Sequence, residues 1–360
     1  MKENSELIIR EVYAYNFVSE MKIITSLLHQ YPYIGMDTEF PGTLFSNSLT
    51  SYQAIKENTD SLKLIQVGIT LSDENGNFPL NCGVWQFNLS FSLKNDKYSK
   101  ESINMLVNSG INFAYLESHG IPQEVFGEYL LSSGLVLNDE LTWICFHGIY
   151  DFAYLLKIVT NLPLPFNEKL FFNDLKLYFP TFYDIRFLIR HNELLKGSLN
   201  RLSQELNIRR KGRQHQAGSD SLITSEVFFK LLNEGYLHRD FISDEKNMLF
   251  GISPDDPLSD VEHNQFMMNF GLGQPQMSPT NYAGNSNDAS MNRSAVRETN
   301  NINPTNLNVQ MGNGYQTYQP YFQNIQMQDN QNRYYGFPNQ AFSFARNIDN
   351  EEEKGTYGCD

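Results

Sequence analysis

The stretch YIGMDTEF, residues 33 to 40, decides the fold and the chemistry expected of this chain. It begins as an apolar strand and ends with two acids separated by one residue. Because side chains alternate between the faces of a strand, Asp37 and Glu39 are expected on the same face. Two such carboxylates at the end of a buried strand repel each other unless a cation neutralises them or one is protonated. An isolated pair of this kind is more often a solvated strand end, so a metal site requires further acids.

The surrounding sequence predicts a meander of three strands at residues 31 to 40, 62 to 71 and 82 to 91, the last two joined by the turn-forming DENGN. Helical patterns follow at 99 to 108, 122 to 132, 151 to 160, 198 to 206 and 217 to 232, with short strands at 142 to 146 and 181 to 184. Strands that then alternate with helices predict a single α/β domain with a mixed sheet, over residues 1 to 250.

The composition changes after about residue 250. Residues 251 to 360 are rich in Asn, Gln, Gly, Met, Ser and Tyr and contain few Leu, Ile or Val, which predicts a disordered, prion-like tail. Aromatic residues spaced by polar ones favour weak self-association. One hypothesis is recruitment of the chain into messenger-ribonucleoprotein granules, and the alternative is an inert extension.

The overall totals restrict the class of protein only weakly. The formal net charge of −14 argues against general binding to polyanions, yet a nucleic-acid site needs only a local cationic path. Cys82, Cys145 and Cys359 are far apart and form no C-x-x-C pair, which indicates neither a disulfide framework nor a zinc site. The sequence shows no signal-like or membrane-spanning apolar segment. We therefore expect a soluble intracellular protein in a reducing compartment, without a membrane partner.

Two further acids and one histidine occur where elements begin. Asp151 follows the apolar WICF and opens the amphipathic DFAYLLKIV, and Asp220 lies where small residues lead into a helical pattern. His215 precedes Asp220 by five positions, in QHQAGSD. Taken singly, Asp151 reads as a helix N-cap, and His215 and Asp220 as an ordinary surface histidine and helix-start acid.

Together these residues form an ordered set: a D-x-E pair on a first strand, an Asp at a strand-helix junction, and H-x4-D at a late helix. Magnesium prefers oxygen ligands, so Asp37, Glu39, Asp151 and Asp220 could hold two cations, an arrangement typical of phosphodiester cleavage. His215 is predicted to act as general base or to orient the attacking water, because its ordinary pKa of about 6.5 suits proton transfer near neutrality.

The chain also resembles the Pop/Caf deadenylases, a family within the histidine variant of the DEDD exonucleases. The resemblance covers about residues 8 to 250. It rests on IREVYAYN (9 to 16), YIGMDTEFPG (33 to 42), LKLIQVGITL, WQFNLSF (85 to 91), NSGINF (108 to 113), FHGIYDFAYLLKI (146 to 158), LYFPTFYDIRFL (177 to 188) and QHQAGSDSLIT (214 to 224). The sequence departs from the family at Gly148-Ile149, where Ser-Gly is usual, and at Ser198, where Gly is usual; neither position is an expected metal ligand.

The resemblance implies an RNase H-like mixed sheet surrounded by helices, with the four acids as metal ligands and Mg²⁺ as the cofactor, Mn²⁺ being the alternative. It implies a 3′-to-5′ exoribonuclease that shortens poly(A) tails and releases 5′-AMP. Poly(A) RNA, a large Not scaffold and a Ccr-type nuclease of the Ccr-Not complex are the implied partners, and the implied location is cytoplasmic and nuclear. Two rival functions remain: a bridging subunit with dispensable catalysis, and an exonuclease acting on DNA.

Contacts to RNA are predicted from local chemistry. The stretch from Arg186 to His215 is basic, and Lys196 and Arg213 are predicted to contact phosphates. A solvated helix face or an acidic partner explains the same charges equally well. Phe40, His147 and Leu199 are further predicted RNA contacts, and core packing is the competing interpretation for the first two of them.

Overall fold

The computed structural model describes residues 8–45, 51–80 and 82–252. Apart from Gly251 and Ile252, the predicted tail lies outside these residues, and so does Cys359. Within the described ranges, the strands are β1 (Ile9–Val12), β2 (Tyr33–Glu39), β3 (Gln66–Ser72), β4 (Val84–Asn88), β5 (Thr142–Cys145) and β6 (Phe182–Asp184).

The strands form one mixed sheet in the order β1-β4-β3-β2-β5-β6. Strands β2, β3 and β4 are an antiparallel meander, while β1 runs parallel to β4, β5 to β2 and β6 to β5. The predicted α/β mixed sheet and its meander are therefore confirmed. The carboxyl ends of β1, β2, β4, β5 and β6 lie at one edge of the sheet, which we call the carboxyl edge.

Helices cover both faces of this sheet. In the described part of the chain they are α1 (Phe17–Leu27), α2 (Ser51–Ser61), α3 (Lys100–Ser109), α4 (Phe113–His119), α5 (Gln123–Ser132), α6 (Ile149–Thr160), α7 (Glu168–Tyr178), α8 (Ile185–Leu188), α9 (Leu199–Glu205), α10 (Ala217–Asn233) and α11 (Arg239–Ile242). The five predicted helices correspond to α3, α5, α6, α9 and α10. None of the helices described is both long and apolar enough to span a membrane.

The two faces of β2 have different surroundings. Ile34 and Met36 belong to the main hydrophobic core, which also includes most of the apolar face of α6. Gly35, Asp37 and Glu39 alternate with them, so they point to the opposite face, where α10 packs. The period of two in the sequence thus separates a core-forming side of β2 from a side that carries two acids.

Glycines in two neighbouring strands let α10 approach the sheet closely. A Cβ atom at Gly35 would lie 2.8 Å from the carbonyl oxygen of Ser221, and one at Gly68 would overlap the carbonyl group of Ala217. Farther along the interface the Thr70 and Ser221 hydroxyls are hydrogen-bonded at 2.9 Å. The amino-terminal half of α10 is therefore in direct backbone contact with β2 and β3.

Candidate active site

The structure brings the predicted acids together at the carboxyl edge. Asp37 and Glu39 project from the end of β2, and Asp220 from the first turn of α10; one carboxylate oxygen from each lies within 4.8 Å of the others. Asp151 lies in the first turn of α6, and its Oδ1 accepts a 2.6 Å hydrogen bond from the hydroxyl of Thr38. Three segments far apart in sequence thus supply the four carboxylates of one cleft.

A cleft of about 180 Å³ opens beside these carboxylates. It is lined by the four acids and by His215, so all five predicted catalytic residues meet there. Phe40, His147 and Leu199 also line it, which places three of the predicted RNA contacts beside the acids. Their roles in binding remain predictions.

Hydrogen bonds fix both oxygens of Asp220. Oδ2 accepts from the backbone N–H groups of His215 at 2.8 Å and Gln216 at 3.2 Å. Oδ1 accepts from Nη1 of Arg210 at 2.7 Å, and the same nitrogen donates to Ser219 Oγ at 3.1 Å. Arg210 is the single Lys or Arg among the described residues that line the cleft. Its guanidinium offsets part of the negative charge of the acids.

The electrostatics of the cleft favour a cation. Removal from water, together with repulsion from Asp220 and Asp151, raises the pKa of Asp37 and of Glu39 well above their ordinary values, although Arg210 opposes the shift. Burial also raises the pKa of Asp151 to about 6, against the lowering effect of the Thr38 hydroxyl. These carboxylates are costly to ionise without a positive charge beside them, and all of their donor atoms are oxygens. Both properties fit a hard divalent cation.

His215 lines the cleft, with an unusual backbone conformation and a shifted pKa. Its backbone has a φ of +60°, a left-handed conformation uncommon outside glycine, and its carbonyl accepts a 2.8 Å hydrogen bond from Ser109 Oγ. Burial lowers the pKa of His215 below its ordinary value, although the neighbouring Asp220 raises it. The imidazole is therefore mainly neutral at pH 7 and able to accept a proton.

Two glutamines hold the start of α10. The side-chain oxygen of Gln86 accepts from the N–H of Gly218 at 2.9 Å, and that of Gln66 from the N–H of Ala217 at 3.3 Å. Their amide nitrogens donate to Oε1 of Gln216, at 2.8 Å from Gln86 and 3.3 Å from Gln66. Strands β3 and β4 therefore fix the position of the turn that carries His215 and Asp220.

Asp184 holds the start of α6 in a similar way. Its carboxylate, at the end of β6, accepts backbone hydrogen bonds from His147, Gly148, Arg186 and Phe250. His147 again has a left-handed backbone, with φ +60°. The buried acid thus fixes the turn that aims Asp151 into the cleft, and Phe250 ties the end of the described chain to the same point.

Four cations of the predicted basic approach form ion pairs with nearby acids, some of them at the surface. Ion pairs join Arg190 to Glu245, Lys196 to Glu193, Arg201 to Glu205 and Arg210 to Asp220. Lys196 and Arg213 are not among the residues that line the cleft. Their contact with phosphate stays a prediction for a surface outside the acidic centre.

Several site residues were missed by the sequence reasoning. Thr38 stands between the two acids of β2, and its position alone could have suggested a role. Arg210 was counted only as part of the basic stretch, because its pairing with Asp220 depends on tertiary structure. Gln66 and Gln86 carried no local signal, since strand glutamines are ordinary until α10 is placed over them.

Comparison with known proteins agrees with this geometry. Residues 12–123 match the model of the CAF1 family ribonuclease. The chain is 43% identical over 251 residues to the poly(A) ribonuclease pop2 of Schizosaccharomyces pombe, covering 68% of this chain and 75% of that protein.

Two solved structures have the same fold. The Mg²⁺- and Mn²⁺-bound form of S. pombe Pop2p is 42% identical, with a TM-score of 0.64, and the match covers 68% of this chain and 99% of that chain. CAF1 co-crystallized with the yeast NOT1 MIF4G domain is 32% identical, with a TM-score of 0.60 over 69% of this chain and 99% of that chain.

A six-stranded mixed sheet with a carboxylate cleft at its carboxyl edge, in the fold shared with the Pop2p structure, defines a nuclease. Within that class, the chain belongs to the CAF1 ribonuclease family. It is accordingly a hydrolase, as the sequence predicted.

Proposed function

We propose that this ribonuclease shortens messenger RNA poly(A) tails from the 3′ end and releases 5′-AMP. The observation that carries the proposal is the convergence of Asp37, Glu39, Asp151 and Asp220 on one cleft, where the pKa values of the first three are raised. A relative 43% identical to this chain is named a poly(A) ribonuclease, which supports the choice of substrate.

The four acids would hold two divalent cations, Mg²⁺ with Mn²⁺ as the alternative. Support comes from the all-oxygen donor set and from the Mg²⁺ and Mn²⁺ bound to the S. pombe relative. When bound, such cations make an attacking water more acidic and stabilise the negative charge of the departing 3′ oxygen.

The remaining residues prepare the reactants. Neutral His215 takes the proton of the attacking water. Arg210 keeps Asp220 oriented and neutralises part of its negative charge. Phe40 forms one wall of the cleft and stacks on Tyr150, with ring centroids 5.2 Å apart. The partly buried Phe40 and Leu199 provide apolar surface for the terminal nucleoside.

We also propose that the chain works within the Ccr-Not complex, bound to a large Not scaffold and beside a Ccr-type nuclease. The CAF1 structure that contains the yeast NOT1 MIF4G domain supports the scaffold. The Ccr-type nuclease, the cytoplasmic and nuclear location, and recruitment to granules stay predictions.

A direct test uses 5′-labelled oligo(A), mixed-sequence RNA and single-stranded DNA, each with Mg²⁺ or EDTA. We expect stepwise shortening of oligo(A) from its 3′ end, slower attack on the other two, and none in EDTA. Equal rates on DNA would overturn the ribonuclease assignment in favour of a DNA exonuclease.

The matched variants are Asp37→Ala, in the cleft, and Asp139→Ala, an exposed surface acid. We expect the first to abolish trimming and the second to have no effect, with both proteins folded. Full activity of a folded Asp37→Ala protein would exclude the proposed chemistry and favour a bridging role.

A further inference from the structure

A cluster of four rings, three of them exposed, lies at the same edge of the sheet as the acids. Tyr13 stacks on Tyr15, with centroids 6.0 Å apart, and contacts the edge of Tyr115 at 4.9 Å. Tyr115 in turn stacks on His119 at 4.1 Å. Tyr15 is 58% exposed and Tyr115 36% exposed. We call these four residues the ring platform.

The strand register gives the approximate backbone separation between Tyr13 of the ring platform and Glu39 of the cleft. Glu39 pairs with Gln66, and Gln66 pairs with Asn88; Tyr13 directly follows Val12, whose partner Phe87 precedes Asn88. Tyr13 therefore stands in the same row as Glu39, three strands away. At a spacing of ~4.8 Å between strands, this is about 14 Å.

Helices α3 and α4 connect the cleft with the ring platform. Met105 of α3 lines the cleft, and both Met105 and Tyr13 pack against one apolar cluster that includes Phe113 of α4. At the end of α3, Ser109 donates a hydrogen bond to the carbonyl of His215. The ring platform and the cleft are thus two sides of the α3–α4 region.

A positively charged side chain, Arg213, lies at the turn between α3 and α4. A Cβ atom added at Gly110, which caps α3, would lie 2.7 Å from Nη1 of Arg213, so the guanidinium covers the turn between α3 and α4. Arg213 is exposed and has no carboxylate partner within the described ranges. It precedes His215 of the cleft by two residues, and its guanidinium lies over Gly110, five residues before Tyr115 of the ring platform.

We propose that the ring platform binds bases of single-stranded RNA upstream of the 3′-terminal nucleotide, and that Arg213 contacts the intervening backbone. This inference rests on the proposed function. A distance of ~14 Å corresponds to about four stacked bases at ~3.4 Å each, and to fewer in an extended strand. Rings offering flat faces beside a cation are the usual means of holding single strands without reading their sequence.

The experiment compares long and short substrates on the full chain. The long one is oligo(A) of about 15 nucleotides, which passes the ring platform, and the short one is the dinucleotide ApA, which is too short to reach it. For the double variant Tyr15→Ala/Tyr115→Ala, we expect KM for the long substrate to rise at least ~5-fold, with kcat unchanged. Its kinetics on ApA should equal those of wild type.

Two variants separate stacking from a structural effect, and a third tests the contact of Arg213 with phosphate. Tyr15→Phe/Tyr115→Phe keeps the rings and should keep the wild-type KM. Tyr236→Ala removes a tyrosine that is 47% exposed and follows α10 away from the carboxyl edge, and it should have no effect. Arg213→Gln should raise KM for the long substrate and reduce the salt dependence of binding by about one phosphate contact, a slope change of ~0.7.

Binding of labelled oligo(A), measured by fluorescence anisotropy in an inactive Glu39→Gln background, gives a readout independent of turnover. Unchanged affinity and KM in the double alanine variant would overturn the inference and assign the ring platform to a protein contact. That result would leave the proposed function intact, provided wild type still trims oligo(A). A wild-type protein that neither binds nor trims oligo(A) would overturn both.

Discussion

Thr38 donates a 2.6 Å hydrogen bond from its hydroxyl to Oδ1 of Asp151, joining the end of β2 to the start of α6. The residue between two acids of one strand thereby orients the acid of another element. It points away from Asp37 and Glu39, because strand side chains alternate. Its hydroxyl also opposes the rise in the pKa of Asp151 caused by burial.

We expect Thr38→Val to lower kcat about 10-fold, since it keeps the branched shape but removes the donor that orients Asp151. Stability should change by less than about 1.5 kcal/mol. Thr38→Ser, which retains the hydroxyl, should be near wild type. Steady-state kinetics and thermal unfolding of the two variants check this, and equal loss in both would show that the hydrogen bond alone does not explain the effect of Thr38.

Arg210→Gln should destabilise the metal-free protein by about 3 kcal/mol, because it leaves Asp220 without its partner in a mostly buried ion pair. Loss of the guanidinium also removes the charge that opposes the rise in the pKa of Asp37 and Glu39. The increase in Tm on adding Mg²⁺ should therefore exceed that of wild type. Calorimetry with and without EDTA measures both effects.

The control for this variant is Arg201→Gln, which breaks a pair between Arg201, 63% exposed, and Glu205. Exposed pairs contribute about 1 kcal/mol or less. A similar loss of stability in the two variants would contradict a special role for Arg210.

The metal-free protein should become less stable as the pH rises. Each cleft acid with a raised pKa binds its proton more tightly in the folded state than in the unfolded state. It therefore does not lower the free energy of unfolding below about pH 4, its ordinary pKa, and lowers it increasingly above that pH. The decrease continues to about pH 6 for Asp151 and to higher pH for Asp37 and Glu39. We expect Tm in EDTA to fall between pH 5 and pH 8, and Mg²⁺ to flatten this slope.

Asp37→Asn should raise Tm in EDTA at pH 8 above that of wild type, because it removes one of the repelling charges. The same change should abolish activity and most of the stabilisation by Mg²⁺. Asp139→Asn, at an exposed position, should leave all three quantities unchanged. A metal-free Tm that is lower in Asp37→Asn than in wild type would contradict the electrostatic explanation.

Gly68→Ala should displace α10 from the sheet, because the added methyl group would overlap the carbonyl of Ala217. We expect a loss of about 3 kcal/mol and a larger loss of activity, since α10 carries Asp220. Gly235→Ala is the control: its methyl group meets nothing within 4 Å, although its φ of +76° costs about 1 kcal/mol. Unfolding curves and trimming rates distinguish the two.

Much of the sheet could be predicted because its signals are local. The alternation along residues 33 to 40 and the turn after residue 72 define the meander without reference to the rest of the chain. Strand β1 could not be found this way, since it has four residues, of which Val12 alone is buried, and pairs in parallel with distant β4. Helix α1 was not predicted, although its buried residues Phe17, Met21 and Ile24 stand at helical spacing in the sequence.

The acids could be predicted for a related reason. Asp37, Asp151 and Asp220 each stand where a strand ends or a helix begins, and such positions can be recognised from the sequence alone. The contacts of Arg210 and of the two glutamines join residues ten to more than a hundred positions apart. Such pairings have no local pattern, so they became visible only with the fold.

The assembly of the cleft from three distant segments has a consequence during synthesis. A nascent chain that has emerged only through α9 already contains β2 and α6, with three of the four acids, but lacks Asp220, His215 and the helix that covers Gly35 and Gly68. Because α10 must be synthesised and must dock on the sheet before the fourth carboxylate reaches the cleft, a shorter nascent chain cannot be active. The ribonuclease is thus inert while its own message is still being translated through this region.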